Sequence, residues 1–528
     1  MRGFFALIEF EFYVTHAIGK LIVNNTVNQM TITNRLSSED REFFRKLATI
    51  IFSNPFSIDP TLIEELLGKK LASFSPTQTD KYLPLVPILE QRLSRLESRG
   101  IQRIQSVHAD DRKALEYAYL FLYFHKYLHA IDELIQNQLA AGEEPVAVPF
   151  HAELVHDLKS KGFTTAESHR FLALFYQLRR AFYFIVQALV GDSPSMVRLR
   201  HGLWNNVFTS DVRLYADHLW DRMEDFSTLL LGETGTGKGT AAAAIGRSGL
   251  IPFNAKTGRF ERSFTETFIA INLSEFPETL IESELFGHRK GAFTGAIDHH
   301  KGLFERCSAQ GSLFLDEIGD VSIPTQIKLL NVIQERRFSP VGSHEVKRFE
   351  GRVIAATNQS IYELRKQGKF RDDFYYRLSS DVVEVPPLRV RLQEAPGELK
   401  QIVRLLISRM LGTKENAELV ANVLSKLTNS LPRHYPWPGN VRELEQAVRK
   451  IIINNEFSDQ STTEMLTKDW LDDMKQGQLS AQELLSHYCY MLYSRFGTYE
   501  EVAEKTALDR RTVKKYIDSR KQISKIGK

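Results

Sequence analysis

The run Gly232-Glu233-Thr234-Gly235-Thr236-Gly237-Lys238-Gly239-Thr240 constrains the fold of this chain more than any other stretch. It follows an apolar segment, Ser227 to Leu231, and leads into the helix-forming Ala241 to Ile245. Glycines there let backbone N–H groups wrap a phosphate, the start of the helix favours an anion, and Lys238 has the reach to meet the β- and γ-phosphates of a nucleotide. Strand, loop and helix in this order describe a P-loop, and an ordinary Gly-rich turn does not require that spacing. One position departs from the usual pattern. The Ser or Thr that commonly follows the lysine is Gly239, which has no side chain for Mg²⁺, and Thr240 is the nearest substitute.

Downstream, Ser312-Leu313-Phe314-Leu315 reads as a buried strand ending in Asp316 and Glu317. Nucleotide hydrolysis needs this pair: Asp316 to hold the Mg²⁺ shell and Glu317 to polarise the attacking water. A third apolar strand, Val353 to Ala356, ends in Thr357-Asn358, where a polar side chain can sense the γ-phosphate. With Phe268 to Ile271 and Val382 to Val385, these runs alternate with helical patterns from about 195 to 395 and predict an α/β domain with a mainly parallel sheet.

A chain of 528 residues predicts three to four domains at about 150 residues each. Its 43% hydrophobic and 25% charged residues exclude a collagen, a rod and a largely disordered chain. Residues 1–190 carry apolar side chains at three- and four-residue intervals, such as Phe171, Leu174, Phe175, Leu178 and Phe182, and predict an all-α domain. Gly142, Pro145 and Pro149 divide it, and Gly191-Asp192-Ser193-Pro194 closes it. A helical lid subdomain is expected at 396–470 and a small all-α unit at 478–528. Only Cys307 and Cys489 occur, which gives neither a disulfide framework nor a CxxC metal site and points to a reducing cytoplasm. Glu9 and Glu11 interrupt the first apolar run before an export signal forms, and Ala114 to Ile135, which carries Glu116, His125, Lys126, His129 and Asp132, reads as a buried helix and not a membrane span.

The motif Glu282-Ser283-Glu284-Leu285-Phe286-Gly287-His288, followed by Gly291-Ala292-Phe293-Thr294-Gly295-Ala296, gives the central segment a close resemblance to the AAA+ domain of bacterial enhancer-binding proteins, the activators of sigma-54 RNA polymerase. Glycines and small residues make a mobile loop with an exposed aromatic at its tip, which suits a contact surface. In that family the loop grips sigma-54, so the resemblance makes Gly291 to Ala296 the contact segment, with Phe293 and Thr294 at its centre. It also implies that Asn272 restrains the catalytic Glu317 until ATP is correctly bound. Gly368 to Leu378 resembles the arginine-finger segment, so that Arg371 and Arg377 would reach the γ-phosphate of a neighbouring subunit. A finger in trans requires a head-to-tail ring, and the family forms hexamers. Tyr435 to Leu444 resembles the second sensor, placing Arg442 at the nucleotide. Two stretches depart from the pattern: Ile251 to Phe264 looks inserted, and Leu392 to Pro396 replaces an acidic segment.

In the last fifty residues the spacing predicts helices over Leu479 to Phe496, Glu500 to Lys505 and Arg510 to Arg520, similar to the Fis-like helix-turn-helix domain attached to this family. The net charge of the whole chain is only +3, yet nine basic residues face two acidic ones from Lys505 onward. Arg510, Arg511, Thr512, Lys514 and Lys515 open the expected recognition helix, where double-stranded DNA would be contacted. The resemblance covers about 300 of the 528 residues and leaves 1–190 unassigned. That segment lacks the alternation of strands and helices that a phosphoacceptor domain needs. Its His125, His129, Asp132 and Glu133 have spacing compatible with a metal, although paired helical histidines more often bond to backbone or carboxylates.

Together these features predict an ATP- and Mg²⁺-dependent activator that binds upstream DNA, assembles a ring and remodels the sigma-54 closed complex, gated by its N-terminal region. The alternatives are a DNA-bound repressor or architectural protein that binds ATP without acting on sigma-54, and an AAA+ remodelling chaperone or protease subunit.

Overall fold

A computed structural model describes residues 34–71, 75, 77–78, 81–412, 416–431, 435–455, 474, 477 and 479–526. The early apolar run and its Glu9 and Glu11 lie outside the described residues, as does Pro432.

Two compact units emerge, and their division differs from a boundary at 190. Among the described residues, one unit holds 34–52, 58–130 and 149–172; the other holds 53–57, 131–148 and those from 173 onward. Within the first, helices Ser38–Phe52, Val86–Ser98 and Ala109–Lys126 pack through Phe44, Leu47, Leu89, Leu93, Leu115 and Tyr119. Buried Asp111 anchors them, accepting from the Leu36 backbone N–H at 3.0 Å and from Arg41 Nε at 2.7 Å. The predicted helix over Ala114 to Ile135 is parted at Tyr127 into Ala109–Lys126 and Leu128–Ala141. His125 bonds through Nδ1 to the carbonyl of Phe121, and Asp132 is taken by Arg179 at 2.5 Å. No cluster able to hold a metal occurs among the described residues.

The second unit is built on a five-stranded parallel sheet: β1 (Thr228–Leu231), β4 (Phe268–Asn272), β5 (Ser312–Asp316), β8 (Arg352–Thr357) and β9 (Asp381–Glu384), in the order β4-β5-β8-β1-β9. All five match the expected apolar runs to within a residue or two. Every residue of β8 is buried, and β5 is buried up to Asp316, as expected of strands covered on both faces. Two short hairpins complete the strands: β2 (Phe253–Asn254) with β3 (Arg259–Phe260) inside the inserted stretch, and β6 (Arg337–Phe338) with β7 (Lys347–Arg348).

Helix Pro194–Phe208 leads from the N-terminal region to the base of this sheet. Its Asn206 donates to Thr228 Oγ1 at 2.9 Å and to Asp381 at 2.5 Å, and Arg352 donates to the Asn206 side chain at 2.8 Å. The lid follows as helices Leu388–Glu394, Glu398–Leu411, Ala417–Ser430 and Asn440–Asn454, with a core of Leu388, Ile402, Leu406, Val423, Leu444 and Val448. Trp437 is buried in that core at a positive φ of 49°, stiffening the turn into the last lid helix. At the C-terminus, helices Ala481–Phe496, Tyr499–Thr506 and Arg510–Ile526 close around Cys489, Leu492, Val502, Val513 and Ile517. Ser480 and Glu483 form a capping box on the first. No helix among the described residues is long and apolar enough to cross a membrane.

Candidate functional site

The sheet register brings the expected residues to one edge. Asn272 lies opposite Asp316, and Leu231, the last residue before the P-loop, lies opposite Thr357. Carboxyl ends of parallel strands are where α/β sheets bind ligands. Gly235 and Gly237 take φ of +79° and +103°, and helix Lys238–Gly246 starts directly after them. These positions demand glycine, because an L side chain is strained at such φ.

Lys238 is buried, and its Nζ donates to the carbonyls of Gly232 at 2.9 Å and Glu233 at 3.3 Å. Burial lowers its pKa, and the nearby charges of Glu317 and Asp316 oppose that shift. Asp316 moves the other way: burial raises its carboxyl, against the Glu317 backbone N–H, 3.0 Å from Oδ1, and the charge of Lys238. Both shifts express one cause, the removal of charged groups from water, and a polyanion with its cation would reverse both. Glu317 itself is in the left-handed region at φ 54°, an uncommon conformation for a non-glycine residue at a strand end.

Asn358 ties the edge together. Its backbone N–H donates to Glu317 Oε2 at 3.2 Å, and its side-chain amide donates to Thr234 Oγ1 at 2.7 Å. Asn272 does not hold Glu317 here. Its amide donates to Glu275 at 3.0 Å and its oxygen accepts from Ser274, because the short helical turn after β4 draws the side chain along its own strand end. Arg371 pairs with Asp373 at 2.6 Å, and Arg377 is exposed on helix Asp372–Leu378. Arg442 comes close: a Cβ on Gly235 would stand 3.1 Å from its own Cβ, and its charge acts on both Lys238 and Asp316.

The lid grips the P-loop through groups the sequence reading did not single out. Arg389 pairs with Glu233 at 2.5 and 2.7 Å, Asn440 donates to the Thr234 carbonyl at 3.0 Å, and the Val441 N–H donates to the Gly235 carbonyl at 3.0 Å. A Cβ on Gly235 would lie 2.2 Å from the Gly439 carbonyl, so glycine there serves close packing as well as its φ. At Gly239 a Cβ would meet only Phe314, at 3.8 Å, so space does not explain the missing hydroxyl. The residues present fit a Mg²⁺-nucleotide in their chemistry: a lysine held by exchangeable carbonyls, a loop of backbone N–H groups at a helix start, and two carboxylates facing it.

The segment Gly291 to Ala296 forms a tight loop, closed by a hydrogen bond from the Gly291 N–H to the Ala296 carbonyl at 2.8 Å. Its base is a backbone ladder, with His288 bridged to His300 on one side and to Val341 on the other. Phe293 is 36% exposed, and its ring meets His288 edge-on at 4.9 Å. Thr294 is exposed, and Ile297 beside the loop is 73% exposed. Gly342, in the β6–β7 hairpin, approaches so closely that a Cβ would lie 2.7 Å from that of Ala292.

Residues 214–384 match the family described as the Sigma-54 interaction domain, and residues 400–483 match the AAA+ ATPase lid domain. The central region is similar to that first family. Its relatives include the Nif-specific regulatory protein of Azotobacter vinelandii, 37% identical over 52% of this chain and 46% of the relative. The transcriptional regulatory protein ZraR of Klebsiella oxytoca is 38% identical over 50% and 52%, and the DNA-binding transcriptional regulator NtrC of Rhizobium meliloti is 34% identical over 52% and 54%. The chain thus spans about half the length of the curated relatives it matches. Outside the segments that match these two families, the third C-terminal helix presents Arg510, Arg511, Lys514 and Lys515 to solvent while Val513 and Ile517 face the small core. Asp509 caps that helix, accepting from the backbone N–H groups of Arg511 and Thr512 at 2.9 and 3.1 Å.

Proposed function

We propose that this protein is an ATP-driven activator of sigma-54 RNA polymerase. The observation that carries the reading is the placement of Lys238, Asp316, Glu317 and Asn358 on one strand edge of a domain whose tight, exposed Gly291 to Ala296 loop belongs to the sigma-54 interaction family. In this reading Lys238 exchanges its two carbonyl partners for nucleotide phosphate, and Thr234 and Asn358 follow the γ-phosphate position. Glu317, freed from the Asn358 N–H, orients water. Asp316 would hold Mg²⁺, which would supply charge neutralisation at the phosphates. Asn272 is a candidate restraint on Glu317 in a nucleotide-bound state.

Arg371 and Arg377 are exposed or half-exposed, as residues acting on a neighbouring subunit's nucleotide would be, and a head-to-tail hexameric ring would supply that neighbour. The C-terminal helices fit a Fis-like helix-turn-helix, with Arg510, Arg511, Thr512, Lys514 and Lys515 toward double-stranded DNA. A cytoplasmic location agrees with such partners.

Thr294→Ala tests the reading. ATP hydrolysis is expected to stay within about twofold of wild type, while ATP-dependent open-complex formation by sigma-54 polymerase falls at least tenfold. Normal open-complex formation by this variant would remove the loop's role and favour a repressor or a remodelling protein with another client.

A further inference from the structure

Three buried arginines of the second compact unit have their acceptors: Arg352 its closed set, Arg391 the Glu398 carboxylate, and Arg179 the Asp132 carboxylate at 2.5 Å. Arg180 and Arg247 do not. Arg180 is fully buried, and its guanidinium makes one hydrogen bond, from Nη2 to the Gly249 carbonyl at 2.6 Å. Its Nε and Nη1 have no acceptor among the described residues. Arg247, half-buried at the end of helix Lys238–Gly246, likewise has an Nε with no acceptor there. Neither arginine forms an ion pair among the described residues.

Both guanidiniums meet one aromatic cluster. Arg180 lies 4.5 Å from the centre of the Tyr176 ring and 5.5 Å from that of Phe264, and Arg247 lies 5.9 Å from those of Phe184 and Phe268. Phe184 meets Phe264 edge-on at 5.2 Å, which joins the two halves. Local structure accounts for this convergence. Tyr176, Arg180 and Phe184 recur every four residues on helix Thr165–Ala188 and share one of its faces. Arg247 ends helix Lys238–Gly246 just before Gly249, so the same turn of chain carries Arg247 and the acceptor of Arg180.

Aromatic faces attract a cation, but they do not replace the hydrogen bonds of its N–H groups. A buried charge without a counter-charge is costly. Burial accordingly lowers the pKa of Arg247 and takes that of Arg180 down to about 10, opposed in Arg180 by the phenols of Tyr176 and Tyr215. The partner that offsets this cost is an anion with several acceptor oxygens. Guanidinium forks bind phosphate and carboxylate through paired N–H groups, and two positive charges in one cluster match a dianion. Because Arg180 is fully buried, its ligand is enclosed as well, which favours the smallest phosphate, the inorganic ion.

We propose that Arg180 and Arg247 form a binding site for inorganic phosphate within the cluster of Tyr176, Phe184, Phe264 and Phe268. Arg180 is its enclosed end and half-buried Arg247 its mouth. Gly249, whose carbonyl holds Arg180, also lines a cleft of about 390 Å³ with Gln177, Ser248 and Leu250, so open space reaches the backbone beside the site. Helix Lys238–Gly246 spans nine residues, about 14 Å, and keeps this site apart from the P-loop at its other end. The site does not depend on the reading of the central domain as an ATPase.

Equilibrium dialysis against radiolabelled inorganic phosphate tests the proposal on the full-length chain carrying Lys238→Ala, which removes the lysine of the P-loop as a competitor. Saturable binding of a single phosphate per chain is expected. Adding Arg247→Met should weaken it at least tenfold, and Arg247→Lys, which keeps the charge without the fork, should fall in between. Arg180→Met should abolish it, and half-buried Arg247 keeps the test decisive should Arg180→Met fail to fold. Acetate and chloride, as monoanions, should compete at least tenfold more weakly than unlabelled phosphate. Absence of saturable binding, or binding that Arg247→Met leaves unchanged, would overturn the site and leave these N–H groups to buried water. Acetate competing as well as phosphate would overturn the assignment to a dianion.

Discussion

At the carboxyl edge of the central sheet, Lys238 rests on two carbonyls of its own loop and Glu317 accepts from one backbone N–H, in a left-handed conformation. At the opposite edge Arg352 is buried and donates to the Phe226 carbonyl, the Asn206 carbonyl and side chain, and the Thr228 hydroxyl, all within 3.1 Å. Both edges hold charges inside the protein, but one holds them with partners that a ligand can replace and the other with a closed set. The contrast separates a site from a foundation: exchangeable, strained contacts mark where chemistry happens, and saturated ones mark where the fold is fixed.

The largest effect that would sharpen this contrast is on turnover. Glu317→Ala should bind ATP yet hydrolyse it at least a hundredfold more slowly, while Lys238→Ala should lose nucleotide binding, both with unfolding midpoints near that of wild type. Turnover by Glu317→Ala equal to wild type would place the reacting group elsewhere. The reverse pattern is expected at the base. Arg352→Met leaves Asn206, Thr228 and the Phe226 carbonyl without their shared donor and should cost about 3 kcal/mol in urea unfolding, because buried polar atoms lose their partner. A loss under about 1 kcal/mol would show that this edge is no foundation.

The smallest effect concerns the tie between lid and P-loop. Hydrogen bonds from Arg389 hold the Glu233 carboxyl below the usual carboxylate range. A carboxylate whose pKa is depressed on folding contributes stability above its unfolded pKa and loses it as pH falls through the folded value. Glu233→Gln should therefore cost about 0.5 kcal/mol at neutral pH, as expected of a partly exposed pair, and the difference from wild type should vanish in acid. A difference independent of pH would assign the loss to packing and not to charge.

The carboxyl edge was legible in the sequence because its chemistry is local. Glycines, Lys238 and the Asp316-Glu317 pair follow one another at fixed offsets from apolar runs, and β1, β4, β5, β8 and β9 appear where those runs stand. The Gly291 to Ala296 loop was legible for the same reason. The base was not, since Asn206, Thr228, Arg352 and Asp381 are separated by up to 175 residues and each alone looks like an ordinary polar residue. Arg180 did carry a signal, a charge inside an aromatic stripe with Tyr176 and Phe184, but its acceptor near residue 249 could not be read from spacing. For the same reason a boundary at 190 looked natural. Gly191 and Pro194 do end one helix and begin another, while the contacts that join 173–208 to the central unit are all long-range. Asn272 shows the limit of motif reasoning on geometry, because β4 brings it opposite Asp316 and the following turn then takes its side chain to Glu275.

The central claim is that ATP hydrolysis at this sheet edge drives sigma-54 polymerase through the Gly291 to Ala296 loop. The most direct measurement is open-complex formation by sigma-54 polymerase on a promoter carrying the protein's selected binding site, with full-length protein, in the presence and absence of ATP and Mg²⁺. Open complexes that require both, and that are lost with Glu317→Ala, are the predicted result. ATP hydrolysis without open complexes under any of these conditions would contradict the account.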